Sequence, residues 1–257
     1  MKHSPILLLS IPLLAVALAG LVMMWTQGHG LPMRDFVEYY SAGKAFLDHR
    51  NPYDPLLLLD IQRWMLNDPT VKQPIMMWNP PWAFALLAPL GFLPPNAAHI
   101  AWLLVQLAAV MVSVAMLLSV YEVPKARWMT GFVAALIFSP FLLLLWYGQI
   151  GGFCLLGLAG YLYFQKREMF LTAGAFAALT ALKPHLLFGF GLMLLLDALV
   201  ARRGRRVLLG GGAAVATAAL FAWFVNPMVY DYYVESITAE SSKVHNSVQD
   251  WYQPNFS

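Results

Sequence analysis

The chain has 257 residues, of which 60% are hydrophobic and 11% charged, with a mean hydropathy of +0.63 and a formal net charge of +3. A soluble domain carries about 25% charged residues, so this composition excludes an ordinary soluble enzyme as well as a disordered or collagen-like chain. The single cysteine, Cys154, excludes a disulfide framework and a cysteine-based zinc site. We therefore expect an all-α polytopic membrane protein.

Uncharged apolar runs mark the predicted spans, because a helix needs about 20 apolar residues to cross a bilayer. The first run, 5–25, follows a basic start but continues past any small-residue cleavage site, which favours an uncleaved anchor over a signal peptide. Together the runs predict a bundle of about seven or eight transmembrane or re-entrant helices. The later runs are 96–121, 128–165 with a turn at 148–152, 170–182, 186–201 and 207–230.

The short apolar piece 81–93 lies between two proline pairs and leaves two arrangements open. In the first arrangement, residues 81–93 re-enter the membrane and 170–201 form a hairpin with Lys183 near its outer tip. In the second, residues 81–93 cross the membrane and 170–201 form one long broken span. Both arrangements give the same outer loops.

The distribution of charge predicts the orientation of the chain in the membrane. Lys2 and the short basic segments near residues 122–127, 166–168 and 202–206 hold nine basic and two acidic residues, so they are predicted to be cytoplasmic, as is the N-terminus. Residues 26–80 hold five basic and six acidic residues, and residues 231–257 hold one basic and four acidic residues. Both segments are predicted to lie outside. The expected organisation is one transmembrane domain over 1–257, with a first span (5–25), an outer loop (26–80), a helical bundle (81–230) and the start of a second outer loop (231–257).

The first outer loop has the pattern of built structure. Over residues 34–48 aromatic and apolar residues recur at helical spacing with charged residues between them, which predicts an amphipathic helix in the membrane interface. Asp54 is a plausible N-cap and Pro55 a suitable first helical residue, so a second interfacial helix is expected over 56–66.

Asp35 opens the first of these helices, and two compatible roles fit it. A carboxylate in a first helical turn caps free N–H groups and complements the helix dipole. The same carboxylate, held at the membrane surface beside aromatic rings, could accept a proton from an attacking hydroxyl.

Lys183 is the second candidate, because long apolar stretches flank it on both sides. A charge at such depth is costly and indicates a functional site, with snorkelling to the interface as the alternative. Pro184 breaks the helix, so Lys183 and His185 could converge on a cavity and bind a lipid-linked phosphate. Asp197 is better explained as a partner of the cytoplasmic arginines, and Gln149 as a cap of the Gly-rich turn.

Several signals are missing from the sequence. It contains no Asp-x-Asp motif of a metal-dependent, nucleotide-sugar enzyme, no P-loop and no hydrolase or metalloprotease motif. No metal site and no nucleic-acid binding are expected.

An ordered set of short motifs resembles glycosyltransferase family 87, a group of polyprenol-phosphate-mannose-dependent mannosyltransferases and relatives with the GT-C membrane fold. The set runs from residue 34 to 185. It comprises Arg34-Asp35-Phe36-Val37-Glu38-Tyr39-Tyr40-Ser41-Ala42-Gly43-Lys44-Ala45-Phe46-Leu47, Asn51-Pro52-Tyr53-Asp54, Asn79-Pro80-Pro81, Leu93-Pro94, Gly148-Gln149, Ala173-Gly174 and Lys183-Pro184.

The resemblance implies a metal-independent, inverting hexosyltransferase without a cofactor. It would move a sugar, mannose by family analogy, from a polyprenyl-phosphate donor to a lipid or glycan acceptor at the outer face of a bacterial inner membrane. Asp35 would be the general base, and the candidate substrate-binding residues are Arg34, Tyr39, Gln149, Lys183 and His185. Two alternatives remain open: a transporter with Lys183 and Asp197 lining its path, and an inactive membrane fragment, since the chain ends inside a predicted outer loop.

Overall fold

A computed structural model of the chain describes the backbone of residues 34–238 and the side chains of residues 35–238. Over this range the chain is helical and contains no strand, which confirms the all-α prediction. The α-helices are α1 (Arg34–Leu47), α2 (Pro55–Leu66), α3 (Phe84–Leu87), α4 (Pro95–Val120), α5 (Trp128–Ile137), α6 (Ser139–Tyr147), α7 (Gly151–Gln165), α8 (Phe170–Ala178), α9 (Phe188–Val200), α10 (Arg202–Val225) and α11 (Val229–Thr238), with 3-10 turns at Pro81–Ala83, Ala88–Phe92, Lys125–Arg127 and Leu179–Leu182.

Two helices within the described range are long and apolar enough to cross a membrane. These are α4, with 26 residues, and α10, with 24 residues. The segment Lys125–Ile137 and α6 together form a third candidate, bent by 53°. The bend lies at Phe138, whose extended backbone precedes Ser139 and Pro140. Membrane helices are thus confirmed, whereas the total of seven or eight spans stays a prediction. The predicted first span at 5–25 lies outside the described residues, as do positions 239–257.

The last long helix differs from the expected run at both ends. α10 begins at Arg202, five residues before the predicted start, and ends at Val225. Its first residues are the arginines, which the hydropathy pattern had assigned to a loop. Residues 226–228 separate it from α11. The Asn226 side-chain amide donates to the backbone carbonyl of Arg50 at 3.0 Å.

One compact unit contains residues 34–37 and 94–217 of the described range. Here α7 packs closely on α8, because a Cβ at Gly157 would lie only 2.8 Å from the carbonyl oxygen of Phe176. Gly174 of α8 similarly allows close approach of the α10 backbone at Val207. The apolar core between α7, α8, α9 and α10 contains Tyr161, Ala173, Ala177, Leu194 and Val207.

The second unit contains residues 38–93 and 218–238 of the described range. Asp54 accepts hydrogen bonds from the backbone N–H groups of Leu56 at 2.9 Å and Leu57 at 3.4 Å, which confirms the predicted N-cap of α2. Gln62 connects α2 to the following loop through two hydrogen bonds of 2.8 Å. Its side-chain amide nitrogen donates to the carbonyl of Ile75, and its amide oxygen accepts from the backbone N–H of the same residue. Burial, with Tyr233 and Tyr230 nearby, raises the pKa of Tyr53 well above its ordinary value.

The helix α1 begins at the predicted Arg34 and ends at Leu47, one residue before the predicted end. Its aromatic residues are buried inside the protein: Tyr40 donates to the carbonyl of Leu93 at 3.0 Å, and the ring of Phe46 stacks on Phe84 at 4.4 Å. The same alternation of apolar and charged residues suits a helix that packs on protein and one that packs on lipid. The interfacial location of α1 stays a prediction.

The segment 81–93 consists of α3 between two 3-10 turns. Residues 81–92 form an apolar helical segment shorter than the membrane-spanning helices, and the Phe84 and Leu87 side chains are fully buried. Gly43 of α1 packs on its backbone, since a Cβ there would lie 3.0 Å from the carbonyl oxygen of Leu87.

Candidate functional site

The structure brings together the two charged residues that the sequence had singled out. The Lys183 ammonium lies 4.0 Å from Oδ2 of Asp35, and the two side chains are 19% and 26% exposed. The residues are far apart along the chain, so only the folded bundle can form this pair. Each charge is largely withdrawn from water and is compensated by the other.

Asp35 owes its position to the start of α1. It lies in the first turn of the helix, where free N–H groups and the positive end of the helix dipole stabilise a carboxylate. The location restrains the side chain at the start of α1. Capping and chemistry are thus compatible roles for this residue.

Lys183 owes its position to a break between two helices. The 3-10 turn Leu179–Leu182 ends at Lys183, whose φ of −131° and ψ of 72° leave the helical region. Pro184 cannot continue the helix, and the backbone N–H of Leu186 closes a turn onto the Lys183 carbonyl at 3.1 Å. The break confirms the interruption expected from the sequence between 170–182 and 186–201.

The Gly148-Gln149 pair packs directly against the start of α1. Gly148 ends α6 in the left-handed conformation, with φ of +68°, and a Cβ there would lie 2.6 Å from the Cβ of Phe36. Its carbonyl accepts a hydrogen bond of 2.7 Å from the indole of Trp102. Only glycine combines this backbone conformation with such close contact, so the pair helps to hold the residue that follows Asp35.

A stripe of polar residues along α4 completes the surroundings, and the sequence analysis missed it. His99, Gln106 and Ser113 recur every seven residues in a largely apolar helix, and all three are buried. The ring of His99 lies 4.9 Å from that of Phe36. The heptad spacing was a usable signal, since it places all three residues on one helical face.

Gln106 has an unusual environment within this stripe. Its side chain is fully buried, and neither amide atom has a hydrogen-bond partner within the described residues. It lies against Gly152 at the start of α7, where a Cβ would collide with the amide oxygen. Gly152 therefore provides the space that this side chain occupies.

The other predicted site residues lie in varied surroundings. Gln149 is half-buried, and its backbone N–H donates to the carbonyl of Leu144 at 2.9 Å. His185 is exposed beyond Pro184. Tyr39 is 1% exposed, in the second unit. The side chain of Arg34 lies outside the described part of the chain.

The charges of the site suit proton transfer and anion binding. Between residues 34 and 238, no group of three His, Cys, Asp or Glu side chains is placed to hold a metal ion. The Asp35 carboxylate can accept a proton, and the Lys183 ammonium can bind an anionic group such as a phosphate.

The sequence model of Glycosyltransferase family 87 matches residues 78–257, a range that includes Gly148, Gln149 and Lys183 and begins after Asp35. Neither a curated protein nor a solved structure matches the chain.

Proposed function

Because the chain belongs to glycosyltransferase family 87, we propose that Asp35 and Lys183 form the catalytic centre of a membrane glycosyltransferase. The ion pair between them carries this proposal. It supplies the base that an acceptor hydroxyl needs and the cation that an anionic leaving group needs, in one place.

The proposed donor is a sugar linked to a polyprenyl phosphate. A lipid phosphate suits a lysine that follows one apolar helix and precedes another, since the lipid chain can stay in apolar surroundings while its phosphate meets the ammonium group. The absence of an Asp-x-Asp motif from the sequence also favours a donor that needs no divalent metal. Mannose as the sugar rests on the resemblance alone.

In the proposed step the acceptor oxygen bonds to the anomeric carbon while the bond from that carbon to the phosphate oxygen breaks. The hydroxyl proton passes to the Asp35 carboxylate, and the polyprenyl phosphate leaves as an anion stabilised by Lys183. One displacement with a single base inverts the anomeric configuration. A lipid or glycan hydroxyl serves as acceptor.

The ion pair also links donor binding to the activation of the base. While Lys183 is paired with Asp35, the ammonium stabilises the carboxylate and so weakens it as a proton acceptor. An incoming phosphate competes for the same ammonium group. Lys183 then turns toward the donor, and Asp35 becomes the stronger base when the donor is bound.

Gln149 and His185 are proposed to assist substrate binding. Gln149 follows the glycine that packs on the start of α1, and its amide can hydrogen-bond sugar hydroxyls. His185 lies two residues after Lys183 and can donate to the phosphate. Binding roles for Arg34 and Tyr39 stay predictions outside this mechanism.

Transfer from radiolabelled polyprenyl-phosphate sugar in isolated membranes tests the two main roles. Asp35→Asn should abolish transfer per amount of folded protein in the membrane, while Lys183→Met should weaken the dependence on donor. Asp60→Asn is the matched control, because the Asp60 side chain is 78% exposed. Full transfer by Asp35→Asn would remove this residue from the mechanism.

We propose that the protein resides in an inner, plasma membrane with its N-terminus in the cytoplasm and residues 26–80 and 231–257 outside. In a Cys154→Ala background, an impermeant thiol reagent should label Asp48→Cys in intact cells. It should label Arg205→Cys only after permeabilisation. The reverse pattern would reject both the orientation and an outer-face reaction.

A further inference from the structure

Trp102 of α4 is connected to the start of α1 through one intervening residue. Its side chain is 1% exposed, and its indole N–H donates to the carbonyl of Gly148 at 2.7 Å. A Cβ on Gly148 would lie 2.6 Å from the Cβ of Phe36 and 3.2 Å from its backbone nitrogen. That nitrogen belongs to the peptide group that joins Phe36 to Asp35. A movement of Gly148 would therefore reach the backbone beside the carboxylate.

The hydrogen bond from Trp102 fixes the place of Gly148 relative to α4. Gly148 ends α6, and the last carbonyl groups of a helix lack partners within it. A buried indole N–H also needs an acceptor, so the two groups satisfy each other. Loss of the donor would leave the Gly148 carbonyl buried without this partner, which favours a shift of the turn.

The same helix also contacts Phe36 directly. His99 lies one turn before Trp102 on α4, and its ring is 4.9 Å from the ring of Phe36, which is fully buried. Phe36 is thus held by α4 itself and by the turn that α4 holds. Neither of these two contacts includes Lys183, which lies at the break between α8 and α9.

We propose that Trp102 is a positioning residue, whose hydrogen bond to Gly148 holds the turn against Phe36 and so keeps the Asp35 carboxylate in reach of the acceptor hydroxyl. The reaction that it serves rests on the proposed function, which this role deepens by adding a residue outside the catalytic pair. Loss of the bond displaces the base, while the cation for the donor phosphate stays in place. The value of kcat should then fall without a rise in the KM for the donor.

Replacement of Trp102 by 3-benzothienylalanine tests this role, because sulfur takes the place of the indole N–H in a ring of nearly the same size. In the radiolabelled transfer assay, kcat per amount of folded protein should fall about ten- to a hundredfold, the effect of a base misplaced by up to about 1 Å. Trp102→Phe also lacks the donor and should show the same fall. The matched control is the same replacement of Trp128, whose indole donates to the carbonyl of Val123 at 3.0 Å in the link before α5. This control should transfer as the wild type does.

A second measurement follows the position of Asp35 without catalysis. The coupling between Asp35→Asn and Lys183→Met, measured from melting temperatures, should become smaller when Trp102 is replaced and stay unchanged when Trp128 is replaced. Loss of this coupling in a protein whose wild type transfers no sugar would support the positioning role and reject the proposed function. A wild-type kcat, a raised KM that accounts for the lost transfer, or an unchanged coupling after replacement of Trp102 would overturn the positioning role.

Discussion

A double-mutant cycle on Asp35 and Lys183 is the most direct measure of the ion pair. Two unit charges 4.0 Å apart attract by about 4 kcal/mol at an effective dielectric constant of about 20. Dehydration of both groups offsets much of this attraction. The net value of the pair is therefore smaller than the attraction, but the loss on removing one partner stays large.

Removal of one partner leaves the other charge poorly hydrated. Such a loss costs about 3–5 kcal/mol for a buried pair. Because the two side chains are still 26% and 19% exposed, we expect about 2–3 kcal/mol for Asp35→Asn or for Lys183→Met. For a chain of about this length that corresponds to a fall in melting temperature of about 4–12 °C.

The double variant should lose less than the sum of the two single losses, by about 2 kcal/mol, since neither charge is then left alone. Thermal unfolding of the purified protein in detergent gives the stabilities, and the transfer assay gives activity, which should stay abolished in the double variant. Recovery of stability without activity distinguishes chemical roles from structural ones. Losses that add to within about 0.5 kcal/mol would show that the charges do not interact and refute the reasoning.

A second charge pair provides the control. Arg203 lies 3.8 Å from Asp197, and the two side chains are 61% and 25% exposed. A pair in which one charge stays mostly in water contributes at most about 1 kcal/mol. The cycle with Asp197→Asn and Arg203→Met should therefore show weak coupling and near-normal transfer.

Three further predictions concern the supports of the fold. Gly148→Ala should lower the free energy of unfolding by at least about 1–2 kcal/mol, because an alanine is strained in the left-handed backbone conformation of this position. It should also lower transfer, because the new Cβ would lie 2.6 Å from a side chain in the first turn of α1. Gly189→Ala is the control: the space around this position is open, so melting and transfer should both stay unchanged. Asp54→Ala should lower the melting stability by about 1 kcal/mol through loss of the α2 N-cap, and an unchanged melting temperature would contradict that role. A hydrogen bond from Lys166 and its positive charge hold the pKa of Glu122 below the ordinary value of 4.5. The Glu122–Lys166 interaction therefore stabilises the fold above pH 4.5, and this stabilisation is lost as the pH falls through the lowered pKa. A series of melting temperatures against pH should show the loss, and the Lys166→Met variant should not show it.

Local chemistry made part of the fold predictable. The N-cap at Asp54 and the start of α2 follow from two neighbouring residues, and the structure has both. The bounds of α4 follow from a long uncharged run. The start of α10 at Arg202 does not follow from the apolar run. Hydropathy marks the residues that are soluble in the bilayer, whereas arginines are good helix formers and can extend a helix beyond the bilayer.

The candidate site depends on contacts that no local pattern encodes. Asp35 and Lys183 could each be selected from their surroundings in the sequence, but their direct pairing could not. Gly148 was selected for its place in a turn, while its contact with Phe36 requires the packed bundle. The polar stripe of α4 was the exception, since its heptad spacing was visible in the sequence and was overlooked.

The partners of the buried charges favour an enzyme over a transporter. A transport path lined by Lys183 and Asp197 would leave these two charges facing a shared space. Instead Lys183 pairs with Asp35, and Asp197 pairs with Arg203 at the beginning of α10. Asp197 is thus accounted for by the arginines next to it, as the sequence had indicated. The lysine is left with one carboxylate at the start of a helix, which brings a proton acceptor and a cation together in one place.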